Sequence, residues 1–185
     1  IIIFHMKPIV SSIHFSPIKS LSFQSINTAI IKKDVGFDED RIFAFSRAVD
    51  SSLANTIEKD PSERELIHFL TLKNTPSLNK YDFKFENGII SISKDNLEIS
   101  TISIEDKEAI SKEISKLEPN LPGPIFLLKN ELFPFYDTTN SSSVSNTISL
   151  INLNSINDFN QKINKEIEFQ RFRGNIYIKD LDAFE

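Results

Sequence analysis

The stretch of residues 148–178 constrains the fold most, because it reads as a strand, a helix and a second strand in direct succession. A short apolar run, typical of a largely buried strand, opens it at Ile148, Leu150, Ile151 and Leu153. Ser155 stands three residues before Asp158, a spacing that predicts a helix start with a capping hydroxyl and an acid at the positive dipole end. The apolar face of this helix is predicted to contain Ile156, Phe159 and Ile163.

The second strand of the stretch, predicted for residues 172–178, begins among basic and amide side chains. Arg171, Arg173 and Asn175 stand at its entrance. Guanidinium groups bind phosphate and carboxylate through paired hydrogen bonds, and the starts of helices attract anions. The stretch therefore predicts a place where a fixed anion is held.

Composition limits the partners of such a site. The 185 residues suffice for one domain, or a small pair of subdomains, and carry a net charge of −5, which argues against nonspecific nucleic-acid binding. The chain has no cysteine and only His5, His14 and His68, so neither a thiolate site nor a zinc site is expected. No apolar run reaches the ~20 residues of a membrane span. We expect a cytoplasmic protein with neither nucleic acid nor membrane as a partner.

The rest of the chain reads as mainly strands with a few helices. Strands are predicted at residues 9–15, 23–31 and 42–45. A tight hairpin across residues 81–92 is indicated by the pair Asn87 and Gly88. Helix starts are predicted at Asp60 with Pro61, and at Ser103 with Asp106. We expect these two helices to pack on the outside of a strand-rich first part, which a polar run at residues 138–145 connects to the 148–178 stretch.

Two turns in the first part carry cations. Pro17 marks a strand end and leaves Lys19 and Ser20 in a turn. Arg41 follows Asp40 between a turn and a strand, where a side chain has a fixed direction. The alternative interpretation is a solvated lysine and a surface ion pair between Asp40 and Arg41, which contributes little to stability.

Four motifs, taken in order, resemble the MOSC family, which comprises molybdenum cofactor sulfurase C-terminal domains joined to the β-barrel that usually precedes them. The motifs are Pro17-Ile18-Lys19-Ser20, Gly36 with Asp40 and Arg41, Asn74-Thr75-Pro76, and SLINLNSINDF followed by RFRGN. The chain is similar in kind to bacterial MOSC proteins and to the mitochondrial amidoxime-reducing component. The resemblance implies an α+β, mainly β fold. Residues 1–8 would be an unstructured start, residues 9–130 the N-terminal β-barrel, and residues 131–185 the truncated start of the MOSC β-barrel domain with flanking helices.

The resemblance also implies a molybdopterin cofactor, bound in a cleft between the two parts. The residues that it assigns to the cofactor are Lys19, Ser20, Arg41, Ser145, Arg173 and Asn175, with Ser145 chosen by position alone. It implies a molybdenum-dependent oxidoreductase of the amidoxime-reducing type, with an electron-donating redox protein as a further partner. At the level of the family, it also implies pyridoxal phosphate binding.

Two other interpretations of the same residues stay open. A noncatalytic cofactor or sulfur carrier would share every contact with the cofactor. A mixed β and α domain whose basic residues merely decorate turns would share none of them. The cofactor ends in a phosphate, which arginine binds with two hydrogen bonds and lysine with a point charge. We predict that Lys19, Arg41 and Arg173 converge on one cleft, where a dianionic phosphate offsets the repulsion between their like charges. In the last of these interpretations each residue instead points into solvent or pairs with its own neighbour.

The chain departs from the family at several positions. Ser16 stands where the family usually has Tyr, Phe43 where Trp is common, and Gly174 where Pro is usual, and we expect Gly174 to loosen the loop that holds Arg173. Family members continue beyond the position of Glu185, and that segment brings the cysteine whose thiolate binds molybdenum. We therefore interpret the chain as truncated and expect its strands near residues 148 and 176 to lack partners.

Overall fold

The fold is α+β and mainly β, as predicted. The computed structural model describes residues 7–136 and 148–184, and these contain eleven strands and three α-helices. The strands are β1 (Ile9–Phe15), β2 (Gln24–Ile26), β3 (Ile31–Lys32), β4 (Gly36–Phe37), β5 (Phe43–Phe45), β6 (Asp82–Glu86), β7 (Ile89–Lys94), β8 (Leu97–Ser103), β9 (Leu127–Lys129), β10 (Leu150–Asn152) and β11 (Ile176–Lys179). The helices are α1 (Ser51–Lys59), α2 (Lys107–Leu117) and α3 (Leu153–Ile163). No helix in the described part of the chain is long and apolar enough to cross a membrane.

A four-stranded sheet joins the two ends of the chain, with the strand order β10-β11-β1-β2. Strands β10 and β11 run parallel and are connected through α3, whereas β1 pairs antiparallel with both β11 and β2. The expectation that the strand near residue 176 lacks a partner is wrong, because β11 has a neighbour on each side. The strand near residue 148 is an edge strand with Leu150 exposed. This sheet crosses the boundary predicted at residue 130.

The 148–178 stretch forms the predicted strand, helix and strand, but with different boundaries. Helix α3 begins at Leu153 rather than Ser155, because the Asn152 side chain caps it by accepting a hydrogen bond from the Asn154 amide at 3.0 Å. The Ser155 hydroxyl instead accepts a hydrogen bond from the amide of Phe184 at 2.7 Å. The second strand begins at Ile176 rather than residue 172, because residues Phe169–Phe172 form a 3₁₀ turn.

The predicted hairpin forms from β6 and β7, with Asn87 and Gly88 both at positive φ in its turn. Strand β8 adds a third member to this sheet, which the sequence reading missed. Helix α2 is capped by the Asp106 carboxylate, which accepts a hydrogen bond from the Ala109 amide, rather than by Ser103. The helix buries its apolar face in the main core, which contains Phe43, Phe45, Phe83, Ile90, Ile92, Ile110 and Ile114.

Two predicted elements of the first part are wrong. The segment after Asp60 is a single 3₁₀ turn, Pro61–Glu63, because the unpredicted helix α1 comes immediately before it and ends at Lys59. The strand expected at residues 23–31 is broken into β2 and β3, which belong to different sheets. Strand β5 pairs with β9, and both help to fix the first part of the site described below.

Candidate functional site

A cavity of about 460 Å³ lies where the turn after β1, the turn before β5 and the loop before β11 meet. Its lining includes each predicted site residue that lies in the described part of the chain, namely Lys19, Ser20, Arg41, Arg173 and Asn175. The remaining candidate, Ser145, lies outside the described residues. The structure thus brings residues from three separate segments to one cavity wall, among them Lys19, Arg41 and Arg173.

Backbone hydrogen bonds fix the first two of these segments to each other. The Arg41 amide donates to the Ser16 carbonyl at 2.6 Å, and the Lys19 amide donates to the Phe43 carbonyl at 2.8 Å. Ile18, between them, is fully buried in the main core. Because burying Ile18 sets the direction of the turn, the neighbouring Lys19 and Ser20 reach the cavity.

The backbone is strained at three residues that line the cavity. Ser20, Arg41 and Arg173 have φ values of 63°, 56° and 55°, a left-handed conformation that costs an ordinary residue about 1–2 kcal/mol. Among described residues other than glycine, asparagine and aspartate, six have positive φ, namely Ser20, Glu39, Arg41, Ala48, Arg173 and Phe184. Half of them line this one cavity, and strain of this kind clusters at functional sites.

Asp40 connects the turn before β5 to the loop before β11. Its carboxylate is 1% exposed, and it accepts hydrogen bonds from the Ser16 amide at 2.8 Å and from Asn175 Nδ2 at 3.1 Å. Arg41 Nη1 donates to the same carboxylate in an ion pair. The predicted alternative, a pair between Asp40 and Arg41, therefore forms, but it is largely buried and lies at the cavity. It is not a pair on the open surface.

Asn175 is held from two further directions. Its Oδ1 accepts hydrogen bonds from the Ser149 amide at 3.2 Å and from the Ser149 hydroxyl at 2.9 Å. Its Nδ2 also donates to the His14 carbonyl at 3.3 Å. Asn175 is 1% exposed, so these contacts fix the amide at the inner end of the cavity.

The two arginines share one aromatic ring. The guanidinium carbon of Arg173 lies 4.5 Å from the centroid of the Phe23 ring, and that of Arg41 lies 5.6 Å from it. Arg173 Nη2 also donates to the Leu21 carbonyl at 3.0 Å. Burial, together with the charge of Arg41, lowers the pKa of Arg173 to about 10. The site thus holds a cation whose charged form is destabilised, as expected of a site built to receive an anion.

Lys19 has a structural contact as well as its place in the cavity wall. It is 6% exposed, and its Nζ donates to the carbonyls of Phe135 and Tyr136. The Tyr136 hydroxyl in turn donates to the Val35 carbonyl at 3.0 Å, and burial raises the pKa of Tyr136. Lys19 therefore also holds the segment at Phe135 and Tyr136 against the cavity.

Gly174 does not loosen the loop that holds Arg173, contrary to expectation. Its amide donates to the Tyr177 hydroxyl at 2.9 Å, a bond that a proline cannot make. A Cβ at this position would lie 2.5 Å from Ile151 Cδ1. The glycine allows strand β10 to approach the loop closely, and Arg173 is thereby placed by packing.

Sequence reasoning missed several residues of the cavity wall, which are Leu66, Thr71, Leu72, Lys73, Tyr136 and Ser149. Two had a signal: Lys73 precedes the Asn74-Thr75-Pro76 motif, and Ser149 stands just before the predicted strand. Asn74 shapes this loop, since its Oδ1 accepts a hydrogen bond from the Thr71 amide at 2.9 Å. Nothing in the sequence around Tyr136 marks it.

A second cavity of about 670 Å³ adjoins the first, because Leu72 and Arg173 line both. Its wall adds the Phe23 and Tyr81 rings and the side chain of Arg171. The predicted entrance residues Arg171 and Arg173 therefore lie on a common cavity, with Arg173 between the two spaces.

Within residues 7–136 and 148–184, no group of three or more His, Cys, Asp or Glu side chains is placed to hold a metal ion. The arrangement is instead a set of fixed hydrogen-bond donors around a space of ligand size. Comparison with family models, curated proteins and solved structures gives no match to the chain.

Proposed function

We propose that the first cavity binds the phosphate of a molybdopterin cofactor and that the chain is the N-terminal part of a MOSC-type, molybdenum-dependent oxidoreductase. The single observation that carries the proposal is the cavity wall itself. Three basic residues, Lys19, Arg41 and Arg173, line one space, although the chain as a whole has a net charge of −5. Ordinary surface charges have no reason to gather in this way, whereas a dianionic phosphate offsets their repulsion.

The donor set of the cavity fits this group. Arg41 and Arg173 have guanidinium N–H groups that suit phosphate oxygens, and the Ser20 hydroxyl adds a neutral donor at the same wall. A volume of about 460 Å³, with a second cavity beside it, is within the range of pockets for small organic ligands. In this proposal, Arg41 and Arg173 hold the phosphate, and Asn175 and Ser149 border it.

The proposal covers the organic part of the cofactor and not its metal. Molybdenum supplies redox chemistry when it is bound, and the role of this chain is to hold and orient the cofactor that carries it. The 185 residues contain no cysteine, so no thiolate ligand is assigned. The sheets of residues 9–130 are proposed to correspond to the N-terminal β-barrel of the family, and residues 131–185 to the start of the MOSC domain.

The experiment measures cofactor retention in the protein extended to the natural end of its gene. After purification, the pterin is released, oxidised and quantified by fluorescence. Arg173→Ala removes a charge-assisted hydrogen-bond donor, so retention should fall by roughly tenfold. Lys33→Ala is the control, because Lys33 is exposed and lies outside the cavity wall, and its retention should equal that of the unmodified protein.

Two outcomes decide the proposal. If the extended protein carries no pterin, or if Arg173→Ala and Lys33→Ala retain equal amounts, the cofactor assignment fails. A noncatalytic carrier, the alternative, would retain pterin with the same dependence on Arg173 but would release it to an acceptor protein and show no turnover with a chemical reductant.

A further inference from the structure

Asp40 is the one acidic side chain in the described chain that accepts hydrogen bonds from two residues of the cavity wall, Arg41 and Asn175. It receives a third bond from the Ser16 amide. These donors come from the turn after β1, the turn before β5 and the loop before β11. A carboxylate on a residue that is 1% exposed is costly to bury unless it accepts hydrogen bonds, and these three donors supply them.

The position of Asp40 is unexpected for a site that binds an anion. A negative charge beside the cavity opposes the attraction of a phosphate, so simple electrostatics argues for a neutral residue there. The carboxylate nevertheless directs its two oxygens toward different segments, with Oδ1 on Ser16 and Oδ2 on Arg41 and Asn175. The carboxylate therefore connects the turns around Ser16 and Arg41 to the loop that carries Asn175.

We propose that Asp40 is a positioning residue, which holds Arg41 and Asn175 in the orientation that binds the anion and does not itself contact it. This inference rests on the proposed anion site. The inference adds that the affinity of this site depends on a buried acid behind the cavity wall. Since the Asp40 charge repels the ligand, any loss of binding on its removal must come from lost orientation.

The two roles considered for Asp40, a negative charge alone or a positioning residue, predict opposite changes in phosphate affinity for Asp40→Asn. The asparagine keeps the size of the side chain but removes its charge, and its Nδ2 cannot accept from Arg41 or Asn175 when it occupies the place of Oδ2. If Asp40 only adds negative charge, the variant should bind phosphate more tightly. If Asp40 is a positioning residue, the variant should bind it about tenfold more weakly, even though the cavity becomes more positive.

The test is calorimetric titration of the 185-residue chain with inorganic phosphate. Asp38→Asn is the matched control, because it removes a negative charge two residues away that pairs with Lys32 and lies outside the cavity wall. Its affinity should stay within about twofold of the unmodified chain. Asp40→Glu retains the charge but moves the carboxylate, and it should also weaken binding.

Asp40→Glu keeps the inference testable if Asp40→Asn does not fold. It retains the negative charge but moves the carboxylate away from Arg41 and Asn175, so a positioning role predicts weaker binding, whereas a purely electrostatic role predicts unchanged binding. Equal or tighter binding by a folded Asp40→Asn overturns the inference but leaves the anion site intact, as does unchanged binding by Asp40→Glu where Asp40→Asn is unfolded. Failure of the unmodified chain to bind phosphate overturns the anion site and the inference with it.

Discussion

Replacing Arg173 with methionine should leave the ligand-free protein at least as stable as before. Methionine is unbranched like the aliphatic part of arginine, but it lacks the guanidinium group and its charge. Burial and the neighbouring Arg41 lower the pKa of Arg173 to about 10, well below its usual value, which corresponds to a cost of roughly 3 kcal/mol for keeping the charged form in the folded protein. The substitution removes that cost.

The same substitution also removes favourable contacts. The bond from Arg173 Nη2 to the Leu21 carbonyl contributes about 1 kcal/mol, and the contact with the Phe23 ring contributes about 0.5–1 kcal/mol. These losses, about 1.5–2 kcal/mol together, offset more than half of the gain. We therefore expect the free energy of unfolding to stay the same or to rise by up to about 1–2 kcal/mol, because Arg173 is placed for a ligand and not for stability.

Arg64 is the matched comparison. Burial lowers its pKa to about 10 as well, but its guanidinium donates to the carbonyls of Ile57, Glu58, Phe133 and Pro134 and lies 4.0 Å from the centroid of the Phe135 ring. Arg64→Met also gains roughly 3 kcal/mol from the lost charge, but it removes four hydrogen bonds and the ring contact, which contribute about 5 kcal/mol together. Carbonyls left without a donor cost about 1–3 kcal/mol more, so the substitution should lower the free energy of unfolding by about 3–5 kcal/mol.

Urea titration followed by circular dichroism measures both variants without added anions. A loss of more than about 2 kcal/mol in Arg173→Met, or a loss in Arg64→Met no larger than that in Arg173→Met, would refute the reasoning. The first result would make Arg173 a structural residue like Arg64. It would also remove the argument that the charge at the cavity is kept for a ligand.

Three further predictions follow from local geometry. Burial lowers the pKa of His14, so the folded protein binds fewer protons than the unfolded chain just below pH 6.5. The free energy of unfolding should therefore fall as the pH is lowered through that range, and its dependence on pH should be weaker in His14→Gln. Gly36→Ala should lower the free energy of unfolding, measured by urea titration, by about 2–4 kcal/mol, because the φ of Gly36 is 101° and a Cβ would lie 2.7 Å from the Tyr136 hydroxyl oxygen. Gly88 has a φ of 76° but open space around it, so Gly88→Ala should lower the free energy of unfolding by only about 1 kcal/mol. Gly174→Pro should lower the melting temperature because it removes the bond to the Tyr177 hydroxyl, and an unchanged or higher value would restore the view that glycine loosens this loop.

The elements that sequence predicted well are those with strong local signals. The pair Asn87 and Gly88 adopts positive φ, which sets the turn of the hairpin, and the apolar spacing of Ile110 and Ile114 places α2 against the core. The helix boundary that was predicted wrongly depends on which of several neighbouring side chains caps the helix. Ser155 has capping chemistry, but Asn152 stands earlier in the chain and caps the helix first, which frees the Ser155 hydroxyl for the Phe184 amide.

The grouping of Lys19, Ser20, Arg41, Arg173 and Asn175 was predicted from motif order and not from local chemistry. The pairing of β1 with β11 brings the two ends of the chain together, and no periodicity in either strand specifies that partner. The residues behind and beside them were missed for the same reason. Asp40 reads as a surface partner of Arg41 until the contact with Asn175, 135 residues away, makes it a buried one.

The backbone of the cavity wall gives an independent reason to expect a ligand there. Left-handed conformations at Ser20, Arg41 and Arg173 together cost about 3–6 kcal/mol, a large part of the 5–15 kcal/mol by which ordinary domains are stable. Glycine would remove most of that strain, and the chain uses glycine at positive φ at positions 36 and 88. At the three cavity positions it has side chains with hydrogen-bond donors instead. Arg41 and Arg173 use some of their donors on Asp40 and on the Leu21 carbonyl, and their remaining donors, with the Ser20 hydroxyl, are suited to binding an anion.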